Sequence, residues 1–221
     1  MSIWTRIAEA ISALGESITA LLARPPEKSI AFTIGMIALG AKMAKADGVV
    51  TEDEIRAFKQ VFNVPDAELA GVARVFNLAK QDVAGFDSYA RQIARLFKGK
   101  SPVLEDVLDG LFHIAKADHA VHPGEYRFLE SVAAIFGFSD ADFARIKSRH
   151  VVGFDDPFRV LGLDRSATAD AVKQRYRGLV REHHPDKHIA AGVPAEMIVL
   201  TTSRLQKINE AYDRIMKELA A

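Results

Sequence analysis

Apolar residues recur along this chain at spacings of three and four, and the alternation typical of a half-buried β-strand is absent. The pattern is established in the first segment, where the recurring apolar residues are Ile3, Ile7, Ile11, Leu14, Ile18 and Leu21. This spacing places such residues on one face of an α-helix. The sequence therefore predicts an all-α fold, beginning with an amphipathic helix within residues 1–26 that ends before Pro25 and Pro26.

Composition limits the classes of function open to the chain. Its 221 residues suffice for one or two domains, and its zero formal net charge gives no global attraction to nucleic acid, so no nucleic-acid partner is expected. The absence of cysteine excludes disulfides, cysteine-ligated zinc and thiol catalysis. The longest stretch of low polarity, Ser29 to Ala41, is shorter than the roughly 20 residues that span a bilayer. We expect a helix buried inside a globular domain instead.

An internal repeat occupies the first two thirds of the chain. The segment at 44–54 reads AKADGVVTEDE, and that at 115–125 reads AKADHAVHPGE. Each copy lies between an apolar helical pattern and an amphipathic one. The repeat predicts a single all-helical domain over residues 27–148 with approximate two-fold internal symmetry.

Local signals place helix boundaries within the repeat. Gly48 suits a left-handed helix end, and Thr51 with Glu54 forms a capping box. Pro123 suits the first position of the following helix. The A-D-G-x-V-x-x-x-E turn resembles that of the TerB-like domain, first recognised among tellurite-resistance proteins, although the second copy has His119 in place of Gly48.

Acidic side chains at matching places in the two repeats suggest a candidate cation site, composed of Asp47, Glu54, Asp118 and Glu125, with Asp53 nearby. Carboxylates brought together by pseudosymmetry could bind calcium or magnesium. His113, His119 and His122 add the option of a transition metal. The alternative is that the carboxylates cap helices. No cofactor is expected apart from such a divalent cation.

A linker at residues 149–155 leads to a C-terminal module at 156–221. A short first helix should end at Gly162, and Thr168 should cap a second helix running to about His183. A loop over 184–194 and a third helix from Ala195 complete the module.

The second predicted helix carries basic residues, and the tripeptide His184-Pro185-Asp186 follows it. With the DPFRVLGL lead-in and the later INEAY segment, this ordered set resembles the J-domain of DnaJ-type co-chaperones. The resemblance implies binding to Hsp70 and stimulation of its ATP hydrolysis by a chain that is not itself an enzyme. The expected contact residues are His184, Pro185, Asp186, Lys173, Arg175, Arg177, Arg181 and Lys187.

Each feature of the implied contact also has an ordinary structural explanation. Pro185 and Asp186 favour turns in any protein, and the basic residues could form only a solvated helix face. The combination of tripeptide and basic helix favours the partner surface. There Pro185 would stiffen the loop, His184 would help to orient it, and Asp186 would accept a contact from a partner arginine.

A TerB-like domain followed by a C-terminal J-domain resembles the DjlA type of bacterial J-protein. That group is anchored by an N-terminal transmembrane segment and faces the cytoplasm. Residues 3–22 depart from the pattern, because they are amphipathic and include Gly15 and Glu16. They could lie in a membrane interface with Trp4 at headgroup depth, pack on the TerB-like domain, or pack on a second copy of the chain. We expect a cytoplasmic protein, with peripheral contact at the cytoplasmic face of the inner membrane left open.

Two functions are consistent with these features. The first is an Hsp70 co-chaperone whose TerB-like domain provides targeting or selects a client or adaptor. The alternative is a metal- or stress-responsive TerB-like binding protein with a secondary J-domain.

Overall fold

The computed structural model describes residues 3–14, 28–46, 52–81, 85–97, 101–117, 121–150, 156–195 and 198–220. These ranges are predominantly helical and contain no strand, which confirms the all-α prediction. The helices of the N-terminal part are α1 (Ile3–Leu14), α2 (Lys28–Ala46), α3 (Glu52–Phe62), α4 (Leu69–Gln81), α5 (Phe86–Phe97), α6 (Pro102–Ala115), α7 (Pro123–Ile135) and α8 (Asp140–Ser148). Those of the C-terminal part are α9 (Pro157–Leu161), α10 (Ala169–Glu182), α11 (Pro185–Ala190) and α12 (Ile198–Ala220). Within the described ranges, no helix is both long and apolar enough to cross a membrane.

Helix α2 lies at the centre of the TerB-like domain and contacts α4, α5, α6 and α7. It is buried almost continuously from Ile30 to Ala44, as expected for a helix that is apolar on nearly all sides. The neighbouring α5 approaches it closely at Gly35, where an added Cβ would stand 2.8 Å from Ile93 Cγ1. The prediction of a helix buried inside the domain is therefore confirmed.

Helix α1 packs on the same core. Ile3, Trp4 and Ile7 are buried there, and the Thr5 hydroxyl donates a hydrogen bond to Glu68 Oε1 at 3.3 Å. Of the three placements considered for the N-terminal segment, the structure has this part packed on the TerB-like domain. Residues 15–26 of the predicted segment lie outside the described residues.

The repeat is described in part. The turn residues 47–51 and 118–120, which include Asp47 and Asp118, lie outside the described residues. At the second copy, α7 begins at Pro123 as predicted, and the His122 amide donates to Glu125 Oε2 at 2.8 Å. That carboxylate therefore caps the helix.

The J-domain has a separate core, in which the short α9 packs against α12 and α10 packs beside α12. Gly162 ends α9 with a positive φ of 71°, and the Thr168 hydroxyl accepts from the Ala171 amide at 3.3 Å. Both predicted helix boundaries are confirmed. The rings of Tyr176 and Tyr212 stack between α10 and α12 with centroids 4.1 Å apart.

The predicted loop over 184–194 differs from the structure, because residues Pro185–Ala190 form the short helix α11. Proline is favoured at a first helical position, since its fixed φ suits the helix and its missing amide has no helical partner there. Pro185 therefore begins α11 rather than only stiffening a turn.

Two helices of the J-domain make its largest contacts with the TerB-like domain. Helix α12 packs on α3 and α6, and α9 packs on α8. Arg149 and His150, which were assigned to the start of the linker, are buried at this contact. Residues 151–155 lie outside the described residues.

Candidate functional site

The His184-Pro185-Asp186 loop presents two polar side chains to solvent. The side chain of Asp186 is 86% exposed and that of His184 is 53% exposed. His184 Nδ1 accepts a hydrogen bond from the Asp186 amide at 3.2 Å. The imidazole therefore holds the start of α11, and the Asp186 carboxylate remains available to a partner.

Four of the predicted basic residues lie on one surface beside this loop. We call this surface the cationic face, and it consists of Lys173, Arg177, Arg181 and Lys187. Arg177 and Arg181 lie one turn apart on α10, and together with His184 and Lys187 they line a shallow depression of about 360 Å³. Lys173 extends the same surface toward the start of α10. No carboxylate in the described ranges forms an ion pair with these four residues. The face can therefore meet an acidic partner without first breaking an internal ion pair.

Arg175 is placed differently from the other predicted contact residues. Its Nε donates to the Leu161 carbonyl oxygen at 3.0 Å, and its Nη1 lies 3.8 Å from Glu182 Oε2. The side chain is half-buried between α10 and the end of α9. Arg175 thus helps to hold the small helix of the J-domain, in addition to any contact with a partner.

The histidines that flank the exposed loop point inward. The imidazoles of His183 and His188 are buried against Asp106 of the TerB-like domain. His188 Nε2 lies 3.1 Å from Asp106 Oδ2, and His183 Nδ1 lies 3.9 Å from Asp106 Oδ1. The TerB-like domain therefore contacts the residues on both sides of the loop, while the central residues of the loop face solvent.

Asp106 belongs to a buried ionic network between the two domains. Arg204 of α12 reaches into the TerB-like domain, where its Nη1 lies 2.9 Å from Asp106 Oδ1 and its Nη2 contacts Glu105. Arg149 makes a bidentate pair with Asp109, its Nη2 lying 2.9 Å from both carboxylate oxygens. Paired geometry of this kind is what allows charges to be buried at all.

The network lowers the pKa of each of its three carboxylates. Burial would raise the pKa of Glu105, but Arg204, Arg149 and Arg145 outweigh it and hold the pKa far below its usual range. Burial is likewise outweighed at Asp109, chiefly by Arg149, so that its pKa is well below the ordinary value. All three carboxylates are ionised near neutral pH, and three guanidinium groups neutralise them: those of Arg145, Arg149 and Arg204.

The atoms of Asp106, His183 and His188 that could bind a metal lie within 4.8 Å of one another. The charge around them does not favour a divalent cation. Asp106 already pairs with the buried Arg204, and a dication between the imidazoles would place further positive charge close to that guanidinium. We therefore assign these residues to the contact between domains rather than to a metal site.

The cation site expected from the repeat stays a prediction. Asp47 and Asp118 lie outside the described residues, as does the side chain of Glu54 within α3. Glu125 is buried and caps α7. Of the four predicted cation ligands, Glu125 is the one whose side chain the structure describes, and it caps a helix, as the alternative proposed.

Sequence reasoning missed the network altogether. The available signal was in α6, whose segment VLEDVLDGLF places three carboxylates in an otherwise apolar helix. Carboxylates within an apolar pattern are rarely buried unless they are paired. These carboxylates therefore indicated that basic partners exist elsewhere in the chain. The sequence could not identify Arg204 as such a partner, because it lies 98 residues from Asp106.

Comparison with known proteins agrees with this two-part architecture. Residues 33–148 match the family described as Tellurite resistance protein TerB, and residues 156–219 match the DnaJ domain. A protein named Co-chaperone protein DjlA from Photobacterium profundum is 30% identical over 225 residues, covering 89% of this chain and 80% of the relative. One of the same name from Coxiella burnetii is 31% identical, covering 79% of this chain and 73% of the relative.

A third relative with this name, from Shewanella oneidensis, is 27% identical and covers 92% of this chain and 84% of its own length. No solved structure matches the chain. The matched domains, their order and the coverage of these relatives show that the chain belongs to the DjlA family of J-domain co-chaperones.

Proposed function

We propose that this chain binds an Hsp70 of the DnaK type through the His184-Pro185-Asp186 loop and the cationic face, and thereby stimulates ATP hydrolysis by that Hsp70. The observation that carries the proposal is the joint exposure of His184 and Asp186 beside Arg177 and Arg181. An exposed carboxylate can accept a bidentate contact from a partner arginine. The cationic face around it suits an acidic surface on the partner.

In this mechanism the chain is not itself an enzyme. Hydrolysis takes place in the Hsp70, and the J-domain acts by binding the hydrolysis-competent conformation of Hsp70 better than its other conformations. Preorganisation of the loop favours such binding, because less conformational entropy is lost on docking. Pro185 at the start of α11 and the contacts of His183 and His188 with Asp106 both restrain the loop.

The TerB-like domain, in this proposal, provides targeting or selects a client or adaptor, and the protein acts in the cytoplasm. The intact loop and the unpaired cationic face support this function over the alternative of a metal- or stress-responsive protein with a secondary J-domain. A secondary J-domain would have no need to keep its cationic residues clear of internal ion pairs.

Replacement of Asp186 by asparagine should strongly weaken stimulation of the Hsp70. The change removes the charge and leaves the side chain nearly the same size, and loss of one partner from a hydrogen-bonded charge pair costs about 2–5 kcal/mol. Stimulation measured as single-turnover ATP hydrolysis should therefore require at least about 30-fold more of the variant. Asp213→Asn, the same chemical change on an exposed residue of α12, is the matched control and should behave as the unmodified chain. Equal stimulation by Asp186→Asn and the control would contradict the proposal.

The cationic face should act mainly on the rate of association. Arg177→Glu is expected to slow association with Hsp70 by about tenfold at low ionic strength, because complementary charge steers encounter. The effect should shrink as salt is added, since the Debye length falls to about 3 Å at 1 M. Stopped-flow association rates measured across a salt series test this expectation. Arg159→Glu, on an exposed residue of α9, is the control, and equal salt dependence for the two variants would count against a role for the face.

A further inference from the structure

A second cleft opens where the TerB-like domain meets the last helix of the J-domain, away from the exposed loop. Its volume is about 470 Å³, within the range typical of small-molecule sites. Both domains contribute to its walls. The lining residues used below are Val61, His113, Lys116, His150, Val199, Ser203 and Lys207.

Two lysines bring positive charge into this cleft without a matching carboxylate. Lys207 Nζ donates to the Arg149 carbonyl oxygen at 3.1 Å, and neither Lys207 nor Lys116 forms an ion pair within the described part of the chain. Burial, foremost, lowers the pKa of both lysines and outweighs the attraction of Asp109, and repulsion by Lys116 lowers that of Lys207 further. The same two lysines, after burial, lower the pKa of the neighbouring His113.

Asp109 attracts both lysines and Glu210 attracts Lys207, but neither acid forms an ion pair with them. Both oxygens of Asp109 are occupied by Arg149, and His150 Nε2 lies 2.5 Å from its Oδ1. Because the three carboxylates of the network are already balanced by three guanidinium groups, Lys116 and Lys207 add two positive charges, and only that of Lys207 is partly offset, by the exposed Glu210. The positive charge is therefore available to a ligand.

One polar atom in the wall has no hydrogen-bond partner among the described residues. His150 is buried with its ring stacked on Phe112, and its Nδ1 makes no hydrogen bond to any described residue. Because His150 is neutral and its Nε2 faces Asp109, the Nδ1 atom is a hydrogen-bond acceptor and offers no donor to an anion. The donors available to an anion in this cleft are therefore those of the two lysines and Ser203.

We propose that this cleft binds a small phosphate-bearing molecule between the two domains. A phosphate group carries about −1.5 to −2 charges near neutral pH, which matches the excess of the two lysines. The Lys116 and Lys207 ammonium groups and the Ser203 hydroxyl supply donors. Val61 and the exposed Val199 provide an apolar surface for the carbon part of a phosphate ester. A monocarboxylate would neutralise only one of the two charges.

This inference goes beyond the proposed co-chaperone function and does not depend on an Hsp70. A ligand that touches both domains binds only when they are in contact, so it stabilises that contact by mass action. The phosphate group is common to a free ion and an esterified metabolite. Inorganic phosphate and phenyl phosphate are therefore used as separate probes.

The test uses the full chain, with chloride at equal ionic strength as the reference. Either phosphate probe should raise the temperature of unfolding saturably and broaden its own ³¹P resonance, and tighter binding of phenyl phosphate would indicate an ester. Lys116→Gln and Lys207→Gln should each weaken binding by about tenfold or more, since hydrogen bonds to charged groups are roughly twice as strong as those between neutral groups. Lys217→Gln, on an exposed residue of the same helix as Lys207, should bind as the unmodified chain does.

Two results would overturn the site. One is a phosphate response no larger than that of chloride at matched ionic strength in the unmodified chain. The other is unchanged affinity in Lys116→Gln. If a lysine variant unfolds in chloride alone, Ser203→Ala replaces it, because that side chain is exposed and its loss should weaken phosphate binding without disturbing the fold. In that case, unchanged affinity in Ser203→Ala together with a folded Lys207→Gln of normal affinity takes the place of the second result.

Discussion

Replacement of Arg204 by methionine is expected to separate the J-domain from the TerB-like domain. The Arg204 side chain is only 2% exposed and contacts the carboxylates of Glu105 and Asp106. Removing one partner from a buried ionic network costs about 3–5 kcal/mol, because the remaining charges stay buried without compensation. Methionine matches the length of the arginine stem but supplies no charge.

The free energy lost in Arg204→Met should appear as opening of the contact between the domains rather than as global unfolding. Each domain has its own apolar core, apart from Val193 of the J-domain, which packs in that of the TerB-like domain. Opening returns the unpaired carboxylates to water. Amide hydrogen exchange should therefore accelerate at the α6–α12 contact while the centre of α2 stays protected. Urea unfolding should resolve two transitions in the variant and one in the unmodified chain.

The matched control for this variant is Lys217→Met, which makes a similar change on an exposed residue of α12. It should leave both hydrogen exchange and urea unfolding unchanged. Arg204→Lys retains the charge but not the planar fork, so an intermediate effect is expected. If Arg204→Met kept the exchange rates of the unmodified chain, the network would not hold the domains together.

Stability is expected to fall steeply as the pH is lowered from about 6.5 to 5. Burial, foremost, lowers the pKa of His183 to about 3 and that of His150 to about 4, so both imidazoles are neutral in the folded chain. Their unfolded forms take up protons near pH 6.5. The stability that they contribute is thus complete above that pH and is lost as the pH falls toward the folded values.

The magnitude follows from the number of protons taken up on unfolding. Each neutral buried histidine contributes about 1.4 kcal/mol per pH unit, so His183 and His150 together give at most about 2.7 kcal/mol per pH unit. His113, whose pKa is lowered by burial and by nearby lysines, adds to the same slope. The acids of the network have lowered pKa values, so their contribution is lost only below about pH 4.

His188 acts in a different pH window. Burial alone would lower its pKa, but the Asp106 carboxylate outweighs burial and raises it. The stability that it contributes is complete below the unfolded value and is lost as the pH rises through the folded value. It therefore does not cancel the slope between pH 6 and 5.

Urea unfolding at half-unit pH steps would measure this slope. His150→Phe should reduce it by about 1.4 kcal/mol per pH unit, because one titrating group is removed while an aromatic ring remains beside Phe112. The slope should persist in 0.5 M salt, since buried charges are poorly screened. A stability that stayed flat from pH 6.5 to 5 would show that these imidazoles are not neutral in the folded protein.

The sequence was sufficient for features that depend on neighbouring residues. The caps at Thr168 and Gly162, the start of α7 at Pro123 and the buried character of α2 follow from local spacing and from the special geometry of proline and glycine. The exposed loop and most of the cationic face could be predicted for the same reason, since they lie within about 15 consecutive residues. Arg175 could not be separated from that face, because its contact with Leu161 depends on how α9 crosses α10.

By itself, then, the sequence determined an all-helical chain, the order of its TerB-like and J-domains, and the loop proposed to meet Hsp70. Only the tertiary structure decided that Arg204 enters the network of Asp106, that the two flanking histidines face inward, and that two lysines meet in a cleft between the domains. The reason is physical. A helix pattern fixes which residues share a face, whereas the pairing of buried charges depends on which faces are brought together by folding.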